Sequence, residues 1–213
     1  MTRPVASRIT RLAALIVAMS SPAVVPAAAA PGTESQNAPA VQRWSVTGGT
    51  VRVRCPLTVG GSFNAETSSV AGTLSQIASS AASYDGTLAV DLATLDTGID
   101  LRNAHMRDTY LEIARGEGFA RAVLSNIRLG AAAPPDAERH RTAFSADLLL
   151  HGVTQRVDGD VELRLRGGRI DARATFPVSL EAFEIQPPRY LGLGVRDRIE
   201  VTVAFEAVPT ASQ

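Results

Sequence analysis

The chain has 213 residues, 45% of them hydrophobic, 20% charged and 5% aromatic. This is ordinary globular composition, neither disordered nor collagenous. Basic and acidic residues balance at 21 each, and every basic residue is arginine. That balance argues against nucleic acid as the main partner, which needs a net positive face. One cysteine excludes an internal disulfide and a four-cysteine metal site.

In chain order, the first segment carries Arg3, Arg8 and Arg11 with no acid before Glu34. An apolar run from Leu12 to Met19 follows, then the small-residue stretch SSPAVVPAAAAPG. A positive region, a short apolar core and a small-x-small site (Ala27, Ala29) predict a secretory signal peptide over residues 1–29, with cleavage after Ala29. The apolar core is well short of the ~20 residues that cross a bilayer. The expectation is therefore a periplasmic or secreted protein with no membrane span once the signal is removed. Residues 30–41 are polar and proline-flanked, and read as a flexible lead-in. A single domain is expected over residues 42–208, with a tail over 209–213.

Period two runs through this domain. Val51, Val53 and Cys55 alternate with Arg52 and Arg54, and Leu88, Val90 and Leu92 with Ala89 and Asp91. Phe144, Ala146, Leu148 and Leu150 form a third set. Val161, Leu163 and Leu165 form a fourth, Ile170 to Leu180 a fifth, and Ile199 to Phe205 a sixth. Each is a half-buried strand with one apolar face. Weaker strands are read near Val70–Leu74 and Ala120–Leu129, giving about eight. Gly167-Gly168 marks a two-residue hairpin, while Gly48-Gly49 and Gly60-Gly61 mark bends or bulges. From Ile99 to Ile113 the spacing turns helical, with Asp100 placed to cap it.

Antiparallel strands with one polar face form a sandwich or a closed barrel, and closure removes exposed edges. The reading is all-β, an antiparallel eight-stranded barrel with one short helix. Inward positions such as Ala146, Ala172 and Ala174 are small. They leave room for an apolar cavity unless larger neighbours fill it.

Four motifs, in order, resemble the YceI-like family of lipocalin-like bacterial proteins. Gly60-Gly61-Ser62-Phe63 followed by Val70-Ala71-Gly72 fits its N-terminal element. LATLDTGIDLRNAHMRDTYLE (Leu92 to Glu112) is similar to its strand-then-"R-x-x-H-L-R" signature. DLLLHGVTQRV (Asp147 to Val157) and AFEI with GLGVRDRIEVTVAFEA (Ala182 to Ala207) complete the set. Arg156 stands where the family has proline, Gly118-Phe119 replaces a tyrosine-proline, and the segment around Phe63 lacks the usual histidine. The resemblance implies a lipocalin-like barrel, export, an internal apolar tunnel and a long isoprenoid ligand. The ligand would be a polyprenyl phosphate or a quinone tail, with no other cofactor.

Strand parity places Val53, Val90, Leu92, Leu148, Leu150, Ala172, Ala174, Phe176, Val201, Val203 and Phe205 on the wall of such a pocket. Met106 and Leu111 are read as covering one end, with Arg102, His105 and Arg107 as head-group candidates. Against this stands a structural reading, in which Arg102 and Asp108 satisfy helix ends and loop carbonyls. A hydrolase would draw on Ser125, His105 and Asp108, but no G-x-S-x-G elbow exists. A metal site would need His105, His140 and His151, of which the last two read as solvated loop residues. Cys55 reads as a buried inert thiol; the alternative is a reactive thiol or one that links a homodimer. Trp44 reads as end packing with a partner for its indole N–H. The expected function is lipid storage or transport. The competitors are a filled structural or stress-response barrel and a lipid-modifying enzyme.

Overall fold

A computed structural model describes residues 42–190 and 193–210. The predicted signal peptide and lead-in lie outside the described residues, as does the end of the tail.

The alternating segments form strands β1 (Arg43–Pro56), β2 (Ser62–Thr67), β3 (Val70–Ile77) and β4 (Ser80–Asp91). A helical stretch follows, holding α1 (Asp100–His105), one wider turn over Met106–Tyr110, and the single turn α2 (Glu117–Ala120). Then come β5 (Arg121–Leu129), β6 (His140–Leu150), β7 (Val153–Arg166) and β8 (Arg169–Ser179). The small hairpin β9 (Arg189–Tyr190) and β10 (Leu193–Gly194) precedes β11 (Arg198–Pro209).

The ladder runs β11-β8-β7-β6-β5-β4-β3-β1, and β11 also pairs with β1, so eight antiparallel strands close into a barrel. At the seam Trp44 faces Pro209 and Arg54 faces Glu200. On its other side β1 pairs first with β3 and then, past the Ser68-Ser69 break, with β2. Closure leaves β1, β8 and β11 with partners on both edges, which is how a small all-β domain avoids an aggregation-prone edge.

Two bulges keep the apolar faces pointing inward. In β1 the register shifts between Val46 and Gly48, so Trp44 and Val46 lie on the same face as Gly49, Val51 and Val53. In β5 the pairing with β6 jumps between Ser125 and Arg128, and Asn126 sits at φ 51°. Its amide donates to Asp147 Oδ2 at 2.7 Å. Leu124 and Ile127, three apart, thus both face inward, which is why this strand lacked clean alternation in the sequence.

Close strand crossings need glycine. A Cβ on Gly86 would stand 2.1 Å from the Thr73 carbonyl oxygen, and the residue has φ +113°. Gly167 and Gly168 make the expected β7–β8 hairpin, both at positive φ. His151-Gly152 makes the β6–β7 hairpin in the same way.

Three details differ from expectation. Leu92 ends the strand pattern and begins a 3-10 turn, because Asp91 accepts from the Ala93 amide. Asp100 does not cap α1; Ile99 is the cap residue and makes no side-chain cap bond. His151 is buried rather than solvated.

The interior is continuous and apolar, from Trp44 and Leu74 at one end to Leu180 and Phe183 at the other. The outer wall is charged. Glu162 on β7 binds Arg139 at 2.9 Å and Arg141 at 2.7 Å. Among the described residues no helix is long and apolar enough to cross a membrane.

Candidate functional site

Inward side chains line an apolar hollow of about 60 Å³, partly open to the outside, in the half of the lumen nearest the β3–β4 and β7–β8 hairpins. Leu74, Tyr84, Leu88, Leu124, Ile127 and Leu129 line one wall. Phe144, Val161, Leu163 and Leu165 line the next. Ile170, Ala172, Ala174, Val203 and Phe205 complete it. Among the described residues Tyr84 brings the lining its one side-chain hydroxyl, and burial pushes that phenol above its ordinary pKa. A hollow of this chemistry stays dry and favours apolar guests. It is smaller than the ~150 Å³ that admits benzene, so a long chain enters only when inner side chains move.

Trp44 packs at this end. Its ring lies 6.0 Å from that of Tyr84, and its Nε1 donates to the Gly168 carbonyl at 2.8 Å. This is the partner expected for the indole N–H.

At the opposite end the helical stretch covers the barrel. Met106, Tyr110, Leu111 and Ile113 pack half-buried against the core. Beneath them Val53, Cys55, Phe63, Val90 and Val201 are also half-buried. Cys55 is pushed up to about 11 by burial, partly opposed by the Arg102 charge. It is therefore a protonated, weakly nucleophilic thiol at neutral pH, and it packs with the lumen residues rather than facing outward as a dimer link would require.

The three head-group candidates all sit on this cover, engaged differently. The Arg102 guanidinium lies 4.3 Å from the centre of the Phe63 ring. Arg107 Nη1 donates to the Ala93 carbonyl at 3.1 Å. His105 is exposed. The structure thus gives Arg107 the loop-carbonyl role that the sequence assigned to Arg102 and Asp108.

Two polar clusters escaped the sequence reading. Asn103, buried in α1, accepts from the Thr97 amide at 2.9 Å and hydroxyl at 2.7 Å, and donates to Asp96 Oδ1 at 2.7 Å. Those bonds, with one from the Gly98 amide, hold Asp96 below the usual carboxylate range. The spacing of Thr97 to Asn103 across a glycine was the available signal. The second cluster centres on His151, 7% exposed. Its Nδ1 lies 3.0 Å from the Phe183 carbonyl and its Nε2 3.1 Å from Glu112 Oε2. Its ring meets Phe119 edge-on at 4.8 Å. Arg115 bonds Glu112 at 2.7 Å and stacks on Phe119 at 4.1 Å. Chiefly through Arg115, Glu112 is held below its ordinary pKa. Both ring nitrogens of His151 face acceptors, so both bonds form together only when the ring carries two protons. The His-Gly dipeptide, a hairpin signal needing positive φ, was the legible clue.

Of the wall residues chosen by parity, Ala172, Ala174, Val203 and Phe205 line the cavity. Leu148, Leu150 and Phe176 are buried beyond it towards the helical end, and Leu92 lies in the turn beyond β4. Val53, Val90, Val201, Met106 and Leu111 belong to the half-buried end. Ser125 lies in β5, His105 in α1 and Asp108 in the turn beyond it, and no hydrogen bond joins them among the described residues. The three histidines are not grouped either: among the described residues no cluster of three metal-ligating side chains exists.

A family model described as "YceI-like domain" matches residues 42–207. No curated protein matches the chain. Among solved structures, a polyisoprenoid binding domain from Saccharophagus degradans is similar at 19% identity, with a TM-score of 0.59, covering 78% of this chain and 98% of its own. BcnA of Burkholderia cenocepacia is similar at 14% identity, with a TM-score of 0.56, covering 74% and 96%.

Proposed function

The chain belongs to the YceI-like family, and from that premise we propose that it is an exported carrier that holds a long apolar, isoprenoid-type chain inside the barrel for storage or transport. The ligand is a polyprenyl phosphate or a quinone tail, and no catalytic residue is assigned. The supporting observation is the apolar hollow lined by the inward side chains of a closed barrel. The Saccharophagus degradans domain of the same architecture is described as polyisoprenoid-binding. An isoprenoid tail offers apolar surface along its length, and its burial stabilises by ~25 cal/mol per Å² without any specific polar contact. The half-buried apolar residues under the helical cover form the mouth, where Arg102, His105 and Arg107 meet a head group.

One observation favours the competing reading of a filled, ligand-free barrel: the cavity is small beside any such chain. Native mass spectrometry of the protein purified from its host separates the two. A co-purifying prenyl lipid, lost in Ala174→Trp, is the expected result. A ligand-free mass that persists after incubation with prenyl lipids would overturn the carrier reading.

A further inference from the structure

Stepping one inward position beyond the cavity, towards the helical end, leads to Ala146 on β6, Gly159 on β7, Phe176 on β8, Val201 on β11, Val90 on β4 and Ala122 on β5. These residues are small except for Phe176, which is 2% exposed. Its ring meets that of Phe144, the last cavity residue on β6, edge-to-face at 5.7 Å and 81°. Both side chains flank Gly159: a Cβ built there would stand 2.3 Å from the Thr175 carbonyl oxygen, 2.7 Å from Phe176 Cβ and 3.0 Å from Phe144 Cε1. The absence of a side chain at Gly159 is what lets β8 and the two phenylalanines approach β7 this closely.

We infer that the Phe144–Phe176 pair is an internal partition that sets how long an apolar chain the barrel admits. The inference rests on the carrier reading above. At the far end Trp44 is bonded to the β7–β8 turn; the chain enters from the opposite, helical end, beneath the head-group candidates. A short chain stops at the rings. A longer one must turn them aside to reach the cavity beyond. Aromatic side chains suit this role, since two χ angles move a large, flat ring as a unit, and an edge-to-face pair adds little beyond its burial.

The chain's one tryptophan reports the outcome, because Trp44 packs against Tyr84, a wall residue of the far cavity. The probes are geranylgeraniol and the longer solanesol, added to the delipidated protein. In the wild type, geranylgeraniol binds without changing Trp44 emission, and solanesol binds more weakly. Phe144→Leu keeps the core apolar while removing a ring. It strengthens solanesol binding relative to geranylgeraniol by about tenfold, equivalent to ~1.4 kcal/mol, and makes solanesol shift Trp44 emission. Phe176→Leu does the same and serves if the first variant folds poorly. An unchanged ratio of the two affinities in both folded variants overturns the partition while leaving the carrier reading intact. A wild type that binds neither alcohol overturns both.

Discussion

His151 shows how one residue can join three parts of a barrel end. It is a turn residue at φ 53°, yet its ring is buried between the Phe183 carbonyl, the Glu112 carboxylate and the Phe119 ring. It thus ties the β6–β7 hairpin to the helical cover and to the segment before β9. His151→Ala leaves the Phe183 carbonyl without its partner and a void beside Phe119. The unpaired acceptor alone costs about 1–3 kcal/mol. Urea denaturation of the variant should show a lower midpoint with an unchanged slope, and Glu112→Ala, with a half-exposed side chain, a smaller loss. If His151→Ala matched the wild type within ~0.5 kcal/mol, the histidine would not be a structural tie. The His-Gly turn was legible in the sequence but the burial of the ring was not, because a polar residue at a hairpin tip reads as solvated. Its burial depends on elements that precede it by about thirty residues and follow it by as many. Trp44, by contrast, was legible: a lone tryptophan at the start of a patterned strand has to bury its ring and satisfy its N–H.

At the scale of elements, alternation carried most of the fold and bulges hid the rest. β8 reads inward at every second residue from Ile170 to Val178 and was evident from pattern alone. β5 was weak because the jump at Asn126 changes its parity halfway. β2 was missed as a separate strand because the Ser68-Ser69 break lets two short strands share β1 as a partner. The glycines of the β3–β4 crossing offer a test at this scale. Gly86→Val forces a β-branched side chain into φ +113° with its Cβ against the Thr73 carbonyl. The expected loss is about 2–5 kcal/mol, seen as a fall in melting temperature. Gly48→Ala, where a Cβ meets nothing within 4 Å, should lie within ~0.5 kcal/mol of the wild type. Equal effects would mean that close approach is not what requires glycine at position 86.

The whole molecule is stabilised by a closed apolar interior and tuned by a charged outer wall, and pH separates the two. Residues in the lumen do not titrate in the acid range, whereas Asp96, Glu112 and Glu162 do, and all three are held below the ordinary carboxylate pKa. For Glu162 the cause is the hydrogen bond from Arg141, then that from Arg139. A carboxyl whose pKa is lowered by folding binds a proton more readily when unfolded. Its stabilisation is complete above the unfolded value of about 4.3 for glutamate and is lost as pH falls through the folded value. The protein should therefore lose melting temperature progressively below about pH 4.5, with little change between pH 6 and 8 from these groups. Glu162 is screened by solvent, so its share is modest, but its sign is fixed. Glu162→Gln should lower the melting temperature slightly at pH 7 and leave it unchanged at pH 3, flattening the acid limb. A Glu162→Gln curve parallel to the wild type across that range would mean that the Arg139 and Arg141 pairs with Glu162 contribute nothing to stability. Acid loss would then fall to the two carboxylates of the helical end, Asp96 and Glu112.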